Sequence, residues 1–229
     1  RAAKSIPRWP LPEDGAAFLQ IFAKERMTMM IERETLEWTQ TWWQQAERDD
    51  LPRVLTIGDS ILCGYRERVQ QKLAGQVYVD QFATSKFAAD PFFEKELALY
   101  AEAYPYACIH FNHGLHGLTF PPERYAECYE RTLRYLLSLC PRVILALSTP
   151  ITVPGRQDTL DPLNEVVVRR NEIVRGLAER YHLPLNDLYT PMLGHPEYRS
   201  GDGYHYLDAG REAQAALVAG KIAETINVQ

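Results

Sequence analysis

From residue 53 onwards the chain alternates short apolar runs with longer segments whose apolar positions recur at helical spacing. The runs are RVLTIG at 53–58, QVYVDQF at 76–82, YACIHFN at 106–112, RVILALS at 142–148 and PLNDL at 184–188. Helix-length segments occupy about 61–74, 91–104, 122–140, 161–182 and 208–226, with Gly75, Pro91, Pro105, Pro121, Pro141, Pro162 and Pro184 standing at the joints as breakers. Strands alternating with helices predict a mainly parallel sheet covered on both faces. The runs at 106–112 and 142–148 are almost continuously apolar, as strands buried on both sides must be.

The first fifty residues follow another pattern. After a lead containing Pro7, Pro10 and Pro12, the segment from about 13 to 48 has no internal proline. Phe18, Ile21, Phe22, Met29 and Met30 recur at roughly helical spacing, and Trp38, Trp42 and Trp43 continue the series. One or two amphipathic helices are expected here, packed on the main body. The expected organisation is therefore an N-terminal helical extension over 1–52 and one α/β domain over 53–229.

Composition narrows the function classes. The chain has 229 residues, is 46% hydrophobic and 24% charged, and carries a formal net charge of −5, which argues against a nucleic-acid partner. No apolar stretch is long enough to span a membrane, and no segment at the start reads as a secretory signal. Cys63, Cys108, Cys128 and Cys140 form no CxxC pair, so free thiols are expected rather than a structural zinc site. Free thiols favour the cytoplasm; a removed signal segment would instead place the protein in the periplasm or outside the cell. The oligomeric state is left open.

Ligands of open α/β sheets bind beyond the carboxyl ends of the strands. The first run there delivers Gly58-Asp59-Ser60, the second Thr84-Ser85-Lys86, and the third Asn112-His113-Gly114-Leu115-His116-Gly117. Just before the last helix comes Asp202-Gly203-Tyr204-His205. Acyl transfer needs a nucleophile, a base, a group that orients the base and a donor for the oxyanion. Ser60, His205, Asp202 and Asn112 are the side chains of those types. Asp59, Ser85, His113, His116 and Tyr204 are candidate substrate contacts. His110, His113 and His116 lie on an extended or irregular segment without a carboxylate–histidine signature, so no metal site is expected. Without a G-x-G-x-x-G or GK[ST] loop, no nucleotide cofactor is expected either.

These blocks resemble those of the SGNH hydrolases, the GDSL-type esterases and lipases. Gly58-Asp59-Ser60 matches the family's first block, Asn112-His113-Gly114 its Asn-x-Gly block, and Asp202-Gly203-Tyr204-His205 its Asp-x-x-His block, in the family's order across 53 to about 210. The resemblance implies a flavodoxin-like three-layer α/β/α sandwich with a mainly parallel five-stranded sheet. It also implies Ser60 as nucleophile, His205 as base and Asp202 as its orienter. The oxyanion would be held by the N–H of Ser60, a second-block N–H at Lys86 and the amide of Asn112. The second block departs from the family, because Phe82-Ala83-Thr84-Ser85-Lys86-Phe87 has no glycine. The implied function is a cofactor-free esterase that removes a small acyl group, such as acetyl, from a polar or carbohydrate alcohol. The alternative is a non-catalytic carbohydrate-binding or scaffold protein that keeps the fold.

Overall fold

The structure, a computed structural model, describes residues 33–227. Its central sheet has six strands: β1 (Thr39–Trp42), β2 (Arg53–Gly58), β3 (Tyr78–Thr84), β4 (Cys108–Phe111), β5 (Val143–Ala146) and, after a two-stranded hairpin β6 (Thr152–Val153) and β7 (Arg156–Leu160), β8 (Leu185–Asn186). The order across the sheet is β1-β3-β2-β4-β5-β8, all parallel except β1. Five helices connect or follow the strands: α1 (Ser60–Lys72), α2 (Pro91–Ala101), α3 (Pro122–Leu139), α4 (Asn164–Tyr181) and α5 (Asp208–Ile226). The five parallel strands and all five helices coincide with the segments expected from periodicity.

Successive side chains of a strand point to opposite faces, and this alternation divides the core in two. Leu55, Ile57, Ile109, Phe111, Val143 and Leu145 pack on one face with Phe93 and Leu97 of α2, Tyr129 and Leu133 of α3, and Val174 of α4. Val54, Cys108, Ile144 and Ala146 pack on the other with Leu62, Tyr65 and Val69 of α1 and Val218 and Ile222 of α5. The result is a three-layer α/β/α sandwich. All four cysteine thiols are free. Among the described residues, no helix is long and apolar enough to cross a membrane.

One expectation is overturned. Residues 39–42 are not helical: they form β1 and pair antiparallel with β3, Thr39 opposite Thr84 and Trp42 opposite Gln81. The helical spacing of Trp38, Trp42 and Trp43 instead reflects separate contacts. Trp38 leans on the α1–α5 side of the core, whereas Trp43 meets Tyr100 with ring centroids 5.1 Å apart. Thr-Gln-Thr-Trp gains backbone partners at the sheet edge, which outweighs a periodicity carried by three side chains. Residues 33–38 and 43–52 are not helical either, and the part of the helical expectation from Phe18 to Met30 lies outside the described residues.

Candidate active site

The chain leaves β2 towards β3 on one side and later returns to β4 on the other, so the sheet has its topological switch point between β2 and β4. Ser60 stands there as the first residue of α1. Asp59 precedes it as N-cap, its Oδ1 accepting a hydrogen bond from Ile61 N at 2.9 Å. The N–H groups of a helix's first turn have no intrahelical acceptor, and the helix dipole favours negative charge in front of them. Ser60 Oγ therefore lies where an oxyanion would be stabilised.

The partner of Ser60 arrives from far along the chain. His205 Nε2 is 2.8 Å from Ser60 Oγ, and its Nδ1 is 2.6 Å from Asp202 Oδ2. Asp202 Oδ1 accepts from Ser200 Oγ at 2.7 Å and from the backbone N–H groups of Tyr204 and His205, each at 2.9 Å. Partial burial works against the Asp202 charge, but these hydrogen bonds outweigh it and hold its carboxyl well below the usual carboxylate range. Asp202 is thus a fixed anion that keeps the proton of His205 on Nδ1 and leaves Nε2 free to accept. The loop is seated on the β6–β7 hairpin: Thr152 N donates to Gly203 O, and Gly155 N donates to Gly201 O, both at 2.9 Å. Gly203 has φ of 87°, and a Cβ there would stand 2.3 Å from Thr152 O, so no other residue fits.

The loop after β4 forms the facing wall. A Cβ on Gly114 would fall 2.0 Å from Ser148 Oγ, which explains the glycine of the Asn-x-Gly block as a close approach to the strand β5 exit. Arg170 of α4 is almost fully buried below this loop, against the rings of Tyr125 and Phe87. Its guanidinium donates to Gly114 O at 3.0 Å, to His116 O at 2.7 Å and to Gly117 O. Ser60 and His205 open into a pocket of about 390 Å³ lined also by Glu34, Leu115, His116, Leu118, Leu163 and Tyr204.

Several candidate residues do other work. Asn112 Nδ2 donates to Ala146 O at 3.1 Å and Leu147 O at 2.8 Å, so its amide ties β4 to β5 instead of facing an oxyanion. Lys86 N donates to Thr84 Oγ1, while its ammonium reaches Thr39 Oγ1 and Glu96 at the sheet edge. Ser85 pairs with Trp38, its Oγ accepting from Trp38 N and its own N–H donating to Trp38 O. These three expected contacts are corrected for one reason: local acceptors and the antiparallel edge strand engage the donors first. Asp59 is buried as a cap, and His113 is buried against the Phe93 ring at a centroid distance of 4.9 Å; neither lines the pocket. His116 and Tyr204 do line it. Sequence reading missed Glu34, Leu115, Leu118, Leu163 and Arg170. Of these, only Leu115 and Leu118 had a signal, lying in or beside the Asn-x-Gly block.

The histidines of the third run go to three different surroundings. His110 Nε2 accepts from the amide of Asn186 at 3.1 Å, His113 stacks on Phe93, and His116 meets Glu34. Burial pushes His110 down to about 4. Burial, aided by the charges of His116 and Arg170, pushes His113 down to about 3. Both lie below the ordinary histidine value of about 6.5. The unfolded chain therefore binds protons that the folded chain refuses, and stability falls as pH drops from about 6.5 towards those folded values. Between pH 7 and pH 5, each should cost roughly 2 kcal/mol of unfolding free energy. Denaturant titrations at a series of pH values check this, and His113→Leu should remove about half of the slope.

No protein-family model matches the chain, and no curated protein sequence matches it. Solved structures do match. A GDSL-like lipase from Bacteroides thetaiotaomicron superposes with a TM-score of 0.61 at 14% identity, covering 92% of this chain and 98% of that one. A lipase/acylhydrolase from Enterococcus faecalis gives 0.61 at 19% identity, over 76% and 96%. An acetyl xylan esterase gives 0.60 at 18% identity, over 75% and 98%. Likeness at these identities establishes a shared fold, the α/β sandwich of the GDSL-type hydrolases.

Proposed function

We propose that this protein is a serine esterase of the SGNH type that removes a small acyl group, such as acetyl, from a polar alcohol. The observation that carries this reading is the continuous relay from Ser60 Oγ through His205 to Asp202, with contacts of 2.8 and 2.6 Å at the topological switch point of the sheet. Ser60 attacks the ester carbonyl as His205 Nε2 takes its proton, and the imidazolium so formed is stabilised by Asp202. The N–H of Ser60, at the start of α1, receives the developing oxyanion. Collapse of the tetrahedral species expels the alcohol, which takes the proton back from His205. Water, deprotonated by the same imidazole, then releases the acid. Leu115, Leu118 and Leu163 supply an apolar wall suited to a short acyl chain.

The alternative of a non-catalytic carbohydrate-binding or scaffold protein draws support from the engaged amides of Asn112 and Lys86. One experiment separates the two. The protein is treated with a fluorophosphonate and the adduct is located by peptide mass spectrometry, with His205→Ala as control. The esterase reading expects a stoichiometric adduct on Ser60 that is lost in the variant. Folded protein that stays unlabelled at several pH values would favour the binding protein.

A further inference from the structure

We propose that Glu34 determines alcohol specificity, as a carboxylate positioned to accept hydrogen bonds from the hydroxyls of an uncharged polyol. This inference rests on the esterase reading. Glu34 lies on the segment leading into β1, yet it lines the same pocket as Ser60 and His205. Both of its carboxylate oxygens are 3.0 Å from His116 Nδ1, and Gly117 N donates to Oε1 at 3.3 Å. The loop that carries these donors is itself held from below by Arg170. The carboxylate is thus fixed in place before any substrate arrives.

A carboxylate has about four acceptor positions. The ring N–H and the Gly117 N–H engage about two, and the side chain remains 43% exposed, so the rest are open to the pocket. Charge then selects the ligand. Among the described residues, no lysine or arginine lines the pocket. Burial raises the pKa of the Tyr204 phenol, and the negative charges of Asp161, Glu34 and Asp202 raise it further, which marks the field on this side as negative. Such a field repels anionic head groups and tolerates hydroxyls. A quaternary ammonium would want several ring faces, and among the described residues Tyr204 is the one Phe, Tyr or Trp that lines the pocket. A polyol instead finds a fixed carboxylate, a phenol and a single ring face, with Ser60 within the same pocket.

The test compares wild type, Glu34→Gln and Glu34→Ala on three acetyl esters. These are a monoacetylated methyl glycoside with free neighbouring hydroxyls, phenyl acetate and acetylcholine. Fluorophosphonate labelling of Ser60 is measured in parallel. Loss of a hydrogen bond to a charged group should lower the kcat/KM ratio of glycoside ester to phenyl acetate roughly 10- to 100-fold in Glu34→Ala. The change should be smaller in Glu34→Gln and lie mainly in KM, with Ser60 still labelled. Equal losses on both esters, or none, would overturn the inference, since Glu34 would then be structural or idle. A loss confined to acetylcholine would overturn it in favour of a cation site. Wild type that takes no label would remove the esterase reading itself and this inference with it, an outcome distinct from a labelled enzyme with an unselective Glu34.

Discussion

Replacing Ser60 with alanine should lower kcat on a simple acetyl ester by roughly 10⁴-fold or more while leaving the fold intact. The hydroxyl is a small, half-buried group at the start of α1, and the cap on that helix is made by Asp59, so little stability depends on it. His205→Ala should cost about as much, and the double variant little more than either, because residues of one relay act as a unit. Asp202→Asn should cost roughly 10⁴-fold, since an amide in place of the fixed anion no longer holds His205 in the productive tautomer. Asp202 itself stays ionised, held so by its hydrogen bonds. Steady-state kinetics with circular dichroism on each variant checks these outcomes. Full activity in folded Ser60→Ala would exclude Ser60 as the nucleophile.

Arg170→Ala should be the most destabilising single substitution near the site, by about 4 kcal/mol or more. It removes a large, almost fully buried side chain packed against Tyr125 and Phe87, and it leaves the carbonyls of Gly114, His116 and Gly117 without their donor. Cavities and orphaned buried polar groups are among the few causes of losses that large, and here both occur together. Arg170→Met fills much of the space but cannot donate, so it should recover the cavity part and still lose about 2 kcal/mol. Urea unfolding of the three proteins measures the difference. Arg170→Met equal to wild type would show that the loop carbonyls do not depend on the guanidinium.

Periodicity and breakers made the sandwich legible. RVLTIG read as a strand, YACIHFN and RVILALS read as strands buried on both faces, and Pro91, Pro121 and Pro162 marked helix starts to within a few residues. The edge strand β1 was hidden, because its four residues are mostly exposed and its neighbouring tryptophans happen to fall at helical spacing. The short hairpin β6–β7 was hidden as well. Its strands are two and five residues long, too short for alternation to stand out, although Gly203 depends on it.

The site divides along the same line. Gly58-Asp59-Ser60 and Asp202-x-x-His205 were readable because each block is marked by residue type and local spacing, and hydrogen bonds join Ser60, His205 and Asp202. Glu34 could not be found, since 82 positions separate it from His116 and nothing local marks it. Asn112 and Lys86 have the right chemistry and the right strand ends, yet their donors point at Ala146, Leu147 and Thr84. The sequence by itself therefore determined the alternation of elements and which chemical groups leave the strands at one rim. Only the tertiary structure decided which of those groups remain free to act. A strand's faces follow from a pattern that many residues share, whereas a single donor takes whichever acceptor lies within about 3 Å, and that depends on segments far apart in the chain.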